Sequence, residues 1–143
     1  MPLKARTIAV DEVVLDLEDS VPAAGKDEAR ETLIEALGEG DWAPRSIAVR
    51  INGLGTPWFE RDIAELVARA GERLDSIVVP KVEDPDQLRL LDARLAGSRI
   101  GLQVLIETAL GLRDIDAIAA ATPRLEALIL GPADLAASLG LPD

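Results

Sequence analysis

The chain has no cysteine, no histidine and no tyrosine, and its aromatic content is 2%, two Trp and one Phe. Each absence removes a class of chemistry. Without cysteine there are no disulfides, thiolate metal sites or cysteine nucleophiles. Without histidine there is no Ser-His-Asp triad and no His-rich zinc site. A general acid or base must then be a carboxylate or a lysine. A metal would be held by carboxylates and water, a donor set that suits Mg2+. With so few aromatics the core has to be built from Val, Ile, Leu and Ala, and hydrophobic residues at 48% supply enough of them.

Long apolar runs are missing too. No stretch approaches the roughly 18–20 residues of a membrane helix. The start, Met1-Pro2-Leu3-Lys4-Ala5-Arg6, lacks the apolar run of a signal peptide. The expectation is a cytoplasmic protein without membrane association. The net charge of −11 is opposite in sign to the footprint of a nucleic-acid binder. An anionic substrate remains compatible if local cations or a metal offset the repulsion.

What is present is an alternation of short apolar runs and longer amphipathic ones. Runs at 13–17, 46–51, 76–82, 100–106 and 127–130 are nearly continuous in apolar residues, the pattern of strands buried on both faces. Between them the spacing predicts helices over 26–37, 59–70, 85–95 and 112–121. Gly38 and Gly40 end the first, Pro57 stands near the start of the second, and Thr122-Pro123 ends the last. A further short helix is expected to open at Asp134, and a helix tail to precede the first strand. No linker or low-complexity segment interrupts residues 1–143, so one domain is expected. Repeated βα units imply a parallel sheet. Length and pattern favour a five-stranded doubly wound sheet; a (β/α)8 TIM barrel needs eight strands.

Parallel α/β proteins carry their chemistry at the carboxyl ends of strands. Here those ends read Asp16-Leu17-Glu18-Asp19, Arg50-Ile51-Asn52-Gly53, Pro80-Lys81-Val82-Glu83, Glu107-Thr108 and Gly131-Pro132-Ala133-Asp134. Ordinary structural roles exist for several. Asp16 or Asp19 can end a strand, Lys81 can sit on a wet rim, and Asp134 can cap a helix. Arg50 and Glu107 close runs that look buried, and a buried charge needs a partner. An Arg50–Glu107 structural pair is one reading and a functional site is the other. The loop from Asn52 to Pro57 offers backbone N–H groups to a carboxylate or carbonyl oxygen, but it matches neither a Walker nor a dinucleotide fingerprint.

Taken together, five segments resemble the citrate lyase β-subunit-like proteins of the HpcH/HpaI aldolase group. They are Leu15-Asp16-Leu17-Glu18-Asp19-Ser20-Val21-Pro22 with Lys26 and Ala29-Arg30, then Val49-Arg50-Ile51-Asn52-Gly53, Val79-Pro80-Lys81-Val82-Glu83, Leu105-Ile106-Glu107-Thr108 and Leu130-Gly131-Pro132-Ala133-Asp134-Leu135. They occur in the family's order across nearly the whole chain. The resemblance implies a TIM barrel of the phosphoenolpyruvate/pyruvate-binding kind. It implies cleavage or condensation of malyl-, citramalyl- or citryl-type acyl-CoA thioesters, with Mg2+ as cofactor. It implies Glu107 and Asp134 as metal ligands and Arg50 on the substrate carboxylate or keto oxygen. Glu18 and Asp19 become supporting catalytic acids, and Gly131, Pro132 and Ala133 line the substrate. A homo-oligomer, trimer or hexamer, is implied as well.

Against the family pattern the first barrel strand and the last two are expected to be missing, leaving about five βα units. The C-terminal coenzyme A contacts would go with them. The expected function is therefore a Mg2+-dependent carbon–carbon lyase, or alternatively a non-catalytic metal- and oxoacid-binding subunit. A receiver-like signalling module is also five-stranded and acidic, but its lysine follows the acids, whereas Lys81 precedes Glu107 and Asp134.

Overall fold

A computed structural model describes residues 2–141. Helix α1 (Pro2–Ala5) leads into five strands: β1 (Glu12–Asp16), β2 (Ser46–Arg50), β3 (Ser76–Val79), β4 (Gly101–Ile106) and β5 (Leu125–Leu130). Between and after them stand α2 (Lys26–Gly38), α3 (Phe59–Ala70), α4 (Pro85–Arg94), α5 (Ala109–Arg113), α6 (Ile115–Ala119) and α7 (Pro132–Ser138).

All strands pair in parallel in the order β1-β2-β3-β4-β5. That order never reverses. The doubly wound alternative requires a reversal, because ligands there bind where the strand order switches; this sheet has no such point. Right-handed crossovers between sequential neighbours instead place the helices on one face. Leu15, Val49, Ile77 and Leu102 lie in register on that face and pack with Leu33, Leu37, Ile63, Leu66, Leu88, Leu91 and Ile118 into a single aliphatic core.

The other face carries Asp16, Arg50, Val78, Gln103 and Ala127 in register. It is concave. Glu12 Oε2 accepts from Ser46 Oγ at 3.1 Å and from Gln103 Nε2 at 2.8 Å. In a flat sheet β1 and β4 would be about 14 Å apart, three spacings of about 4.8 Å. Two extended side chains and a hydrogen bond fall short of that, so the sheet curls its polar face inward.

Local chemistry explains most boundaries. The Asp84 side chain accepts from the N–H groups of Asp86 and Gln87, with Pro85 at the first helical position of α4. The helix expected over 112–121 starts earlier and breaks in two. Thr108 caps α5 by accepting from the Gly111 N–H, and Asp114 leaves helical geometry between α5 and α6. The last helix opens at Pro132 rather than Asp134. Asp134 therefore stands third in the helix, not at its cap.

Candidate active site at the carboxyl ends of the strands

Asp16, at the end of β1, organises the first part of the site. Its carboxylate accepts from the N–H groups of Glu18 (2.8 Å) and Ser20 (3.1 Å), which turns the chain sharply after the strand. The same carboxylate takes a two-pronged bond from Arg50 on β2, Nε at 2.7 Å and Nη2 at 2.6 Å. This fork fixes the guanidinium plane. Burial raises the Asp16 carboxyl, but the Arg50 bond and the Glu18 and Ser20 donors outweigh it and hold the group well below the usual carboxylate range. Hydrogen bonding by Asp16 in turn pushes Arg50 upward.

Arg50 is thus not half of an Arg50–Glu107 pair. Its carboxylate partners among the described residues are Asp16, Glu18 and Asp19. Nor is it buried, because its side chain keeps 22% of its exposure. The run around it is buried, yet Arg50 lies on the concave face. Its Nη1 lies 3.3 Å from Asp19 Oδ2, in a hydrogen bond, and 3.1 Å from Glu18 Oε2. The second approach is not aligned for a hydrogen bond, so this buried Glu18 oxygen has no hydrogen-bond partner among the described residues.

Two buried devices hold the surrounding loops. Lys26, the first residue of α2, donates from Nζ to the carbonyls of Leu17 (2.7 Å) and Glu18 (2.6 Å), beneath the Trp58 ring. Asp62 on α3 accepts from Arg30 Nε at 2.7 Å and from Asn52 N (3.0 Å) and Nδ2 (2.7 Å). The Asn52 N–H, which sequence reasoning offered to a ligand, is satisfied by the chain itself.

Lys81, just beyond β3, has φ 53°, a left-handed conformation rare for a residue with a long side chain. That conformation does two things. The Lys81 N–H donates to Glu107 Oε1 at 2.9 Å. The ammonium reaches Glu18 Oε1 at 2.5 Å and lies 3.8 Å from both Asp19 Oδ1 and Asp134 Oδ2.

Glu107, at the end of β4, is 4% exposed. Burial raises its carboxyl above the ordinary value, aided by the charges of Glu18 and Asp134 and opposed by the Lys81 N–H and ammonium. Gly131 lies directly against it. A Cβ at Gly131 would come within 2.6 Å of Glu107 Cβ and 2.7 Å of Oε2, so only glycine leaves Glu107 in place. Helix α7 then presents Asp134, whose side chain is half exposed. Its far end is tied back to the β4 end, where the Ala109 N–H donates to Ser138 Oγ at 2.9 Å.

Glu18, Asp19, Arg50, Glu107, Gly131, Pro132, Ala133 and Asp134 therefore stand at one end of one sheet. Arg50 joins Glu18 and Asp19. Lys81 joins Glu18 to Asp134 through its ammonium and holds Glu107 through its backbone. Among the described residues no three acids cluster in metal-ligating geometry. Glu107 and Asp134 stand close enough for the charge of Asp134 to act on the Glu107 carboxyl. Sequence reasoning missed the Asp16 anchor, the Lys26 clamp and the central place of Lys81. Asp16 and Lys81 were both visible as charged residues at strand ends.

A parallel, sequentially ordered α/β sheet with an acid-rich cleft and one fixed arginine at its carboxyl edge defines the class. The chain belongs to the HpcH/HpaI aldolase/citrate lyase family, whose model matches residues 1–143. It is 42% identical over 146 residues to the L-malyl-CoA/β-methylmalyl-CoA lyase of Cereibacter sphaeroides, covering 96% of this chain and 46% of that protein. It is 41% identical over 140 residues to the malyl-CoA/β-methylmalyl-CoA/citramalyl-CoA lyase of Chloroflexus aurantiacus, covering 92% of this chain and 40% of that one. The crystal structure of RipC from Yersinia pestis superposes with a TM-score of 0.81 at 38% identity, over 96% of this chain and 59% of RipC. The chain thus spans about half the length of the curated relatives it matches. No described helix is long and apolar enough to cross a membrane.

Proposed function

We propose that this chain is the metal- and oxoacid-binding portion of a carbon–carbon lyase acting on malyl-, citramalyl- or citryl-type acyl-CoA thioesters. The observation that carries the reading is the placing of a fixed arginine and the carboxylates of Glu107 and Asp134 at one sheet end, in a chain 42% identical to a malyl-CoA lyase. On this reading the curved sheet is part of a (β/α)8 barrel in an oligomeric, cytoplasmic enzyme. The sequential strand order supports the barrel, because a barrel is wound that way.

The donor set suits magnesium. Glu107 and Asp134 are hard oxygen ligands, and the charge of Asp134 helps to raise Glu107, a repulsion that a dication relieves. When bound there, Mg2+ would supply Lewis acidity toward the oxygen of the oxoacid. Arg50, held flat by Asp16, donates to the substrate carboxylate or keto oxygen. Gly131, Pro132 and Ala133 offer a surface where substrate can approach the ligand pair without meeting a side chain at position 131. Glu18 and Asp19 orient Arg50 and act as the nearby acids. In cleavage a carboxylate of the cleft takes the proton of the substrate hydroxyl as the carbon–carbon bond breaks, and the hydroxyl carbon becomes the carbonyl carbon of the released oxoacid. The electron pair passes to the thioester carbonyl as an enolate, which then takes up a proton. Fixed positive charge facing the developing oxyanions is the main contribution to rate that such a site can make.

A second reading, binding of metal and oxoacid without turnover, is kept because the chain covers 46% of the Cereibacter lyase. Calorimetric titration of Mg2+ with and without oxaloacetate tests what the readings share. Each ligand should tighten the other, and independent or absent binding would sink both. Turnover of malyl-CoA by the chain then separates them: it is expected for the lyase and absent for the binder.

A further inference from the structure

Lys81 is the residue at the centre of the cleft that the lyase reading leaves without a task. Three observations bear on it. Its left-handed backbone is unfavourable in a non-glycine residue and persists where surrounding structure enforces it. Its N–H holds Glu107, one proposed ligand, while its ammonium lies 3.8 Å from Asp134, the other. The same ammonium bonds Glu18, a carboxylate about nine-tenths buried whose second oxygen has no hydrogen-bond partner among the described residues.

We propose that the Lys81 ammonium is a tethered counter-cation for this cleft, neutralising Glu18 and Asp134 until a divalent ion arrives and withdrawing from Asp134 when the ion binds. The proposal rests on the assignment of Glu107 and Asp134 as the ligand pair. The charge balance supports it. Among the described residues, the cations beside Asp16, Glu18, Asp19, Glu107 and Asp134 are Arg50 and Lys81, and Arg50 is forked onto Asp16 with its third nitrogen toward Glu18 and Asp19. Lys81 is the positive charge on a half-exposed side chain. Its side chain is 45% exposed, so it can swing toward solvent at little desolvation cost. A lysine suits this task better than an arginine, being a compact point charge on a flexible stem. A dication and an ammonium a few ångström apart repel even when half exposed to water. The lysine therefore sets the metal affinity below what the carboxylates alone would give.

The test is calorimetric titration of Mg2+ into the wild-type chain and into Lys81→Met and Lys81→Asn. Asn tolerates the left-handed backbone and guards against a folding failure of the Met variant. Both replacements keep the backbone N–H that holds Glu107. The expected result is Mg2+ binding several-fold tighter in both neutral variants, with Lys81→Arg no tighter than wild type. Unchanged or weaker binding in both neutral variants, with Asp134→Ala still abolishing it, overturns the counter-cation role alone. Wild-type affinity in Asp134→Ala, or no binding in any form, overturns the ligand assignment and this proposal with it.

Discussion

Glu107 sits between opposing influences. Burial disfavours its charge, while the Lys81 N–H and ammonium favour it, and the net direction is upward. The sign of its effect on stability follows. A carboxyl raised in the folded state makes the fold bind its proton more tightly than the unfolded chain does. Its contribution is present at low pH and is lost as pH rises through the unfolded value of about 4.3 and then the folded one. Above the folded value, without metal, ionised Glu107 is a net cost. Glu107→Gln should therefore melt at a higher temperature than wild type at pH 7 in chelator, with the gain shrinking as pH falls toward 4. It should also lose the further rise that Mg2+ gives wild type. Equal melting temperatures at pH 7 would show that the burial is already compensated.

At the scale of elements, the loops bearing the site are held by ion pairs inside the layer of helices. Arg30 on α2 and Asp62 on α3 have side chains that are 0% exposed, and Asp62 also fixes Asn52 after β2. Removing one partner of such a pair leaves a buried charge, typically at a cost of about 3–5 kcal/mol. Asp62→Ala should lower the free energy of unfolding by that order in urea titration, and a change under about 1 kcal/mol would mean that Asp27, which already accepts from Arg30 Nη1 at 2.7 Å, suffices to hold the guanidinium. The βα order was legible in the sequence because β2, β3 and β4 are largely buried and read as apolar runs, and Phe59–Ala70 begins and ends where its periodicity does. β1 and β5, expected to be buried on both faces, keep one face partly open. The break between α5 and α6 was not legible. It depends on one residue, Asp114, leaving helical geometry inside a run with the right spacing. The partner of Arg50 was not legible either. Alternation shows that Arg50 faces the polar side, but only strand register shows that Asp16 lies beside it and Glu107 does not.

Across the whole molecule the curvature of the sheet brings charges from distant segments into one cleft, and this makes stability depend on pH. Asp16 is held well below its ordinary value, opposite in sign to Glu107. The unfolded chain then binds the proton more readily, so the Asp16 contribution is complete above its unfolded value of about 3.9 and is lost as pH falls through the folded one. Asp16→Asn should be less stable than wild type at pH 7 and should lose less on going from pH 5 to pH 2. Parallel acid-unfolding curves for the two proteins would contradict this. The central claim, that β4 and β5 deliver Glu107 and Asp134 to one divalent ion, is tested most directly by titrating Mg2+ calorimetrically into wild type and Asp134→Ala. The account predicts saturable binding to wild type and its loss in the variant; equal affinity in both would contradict it.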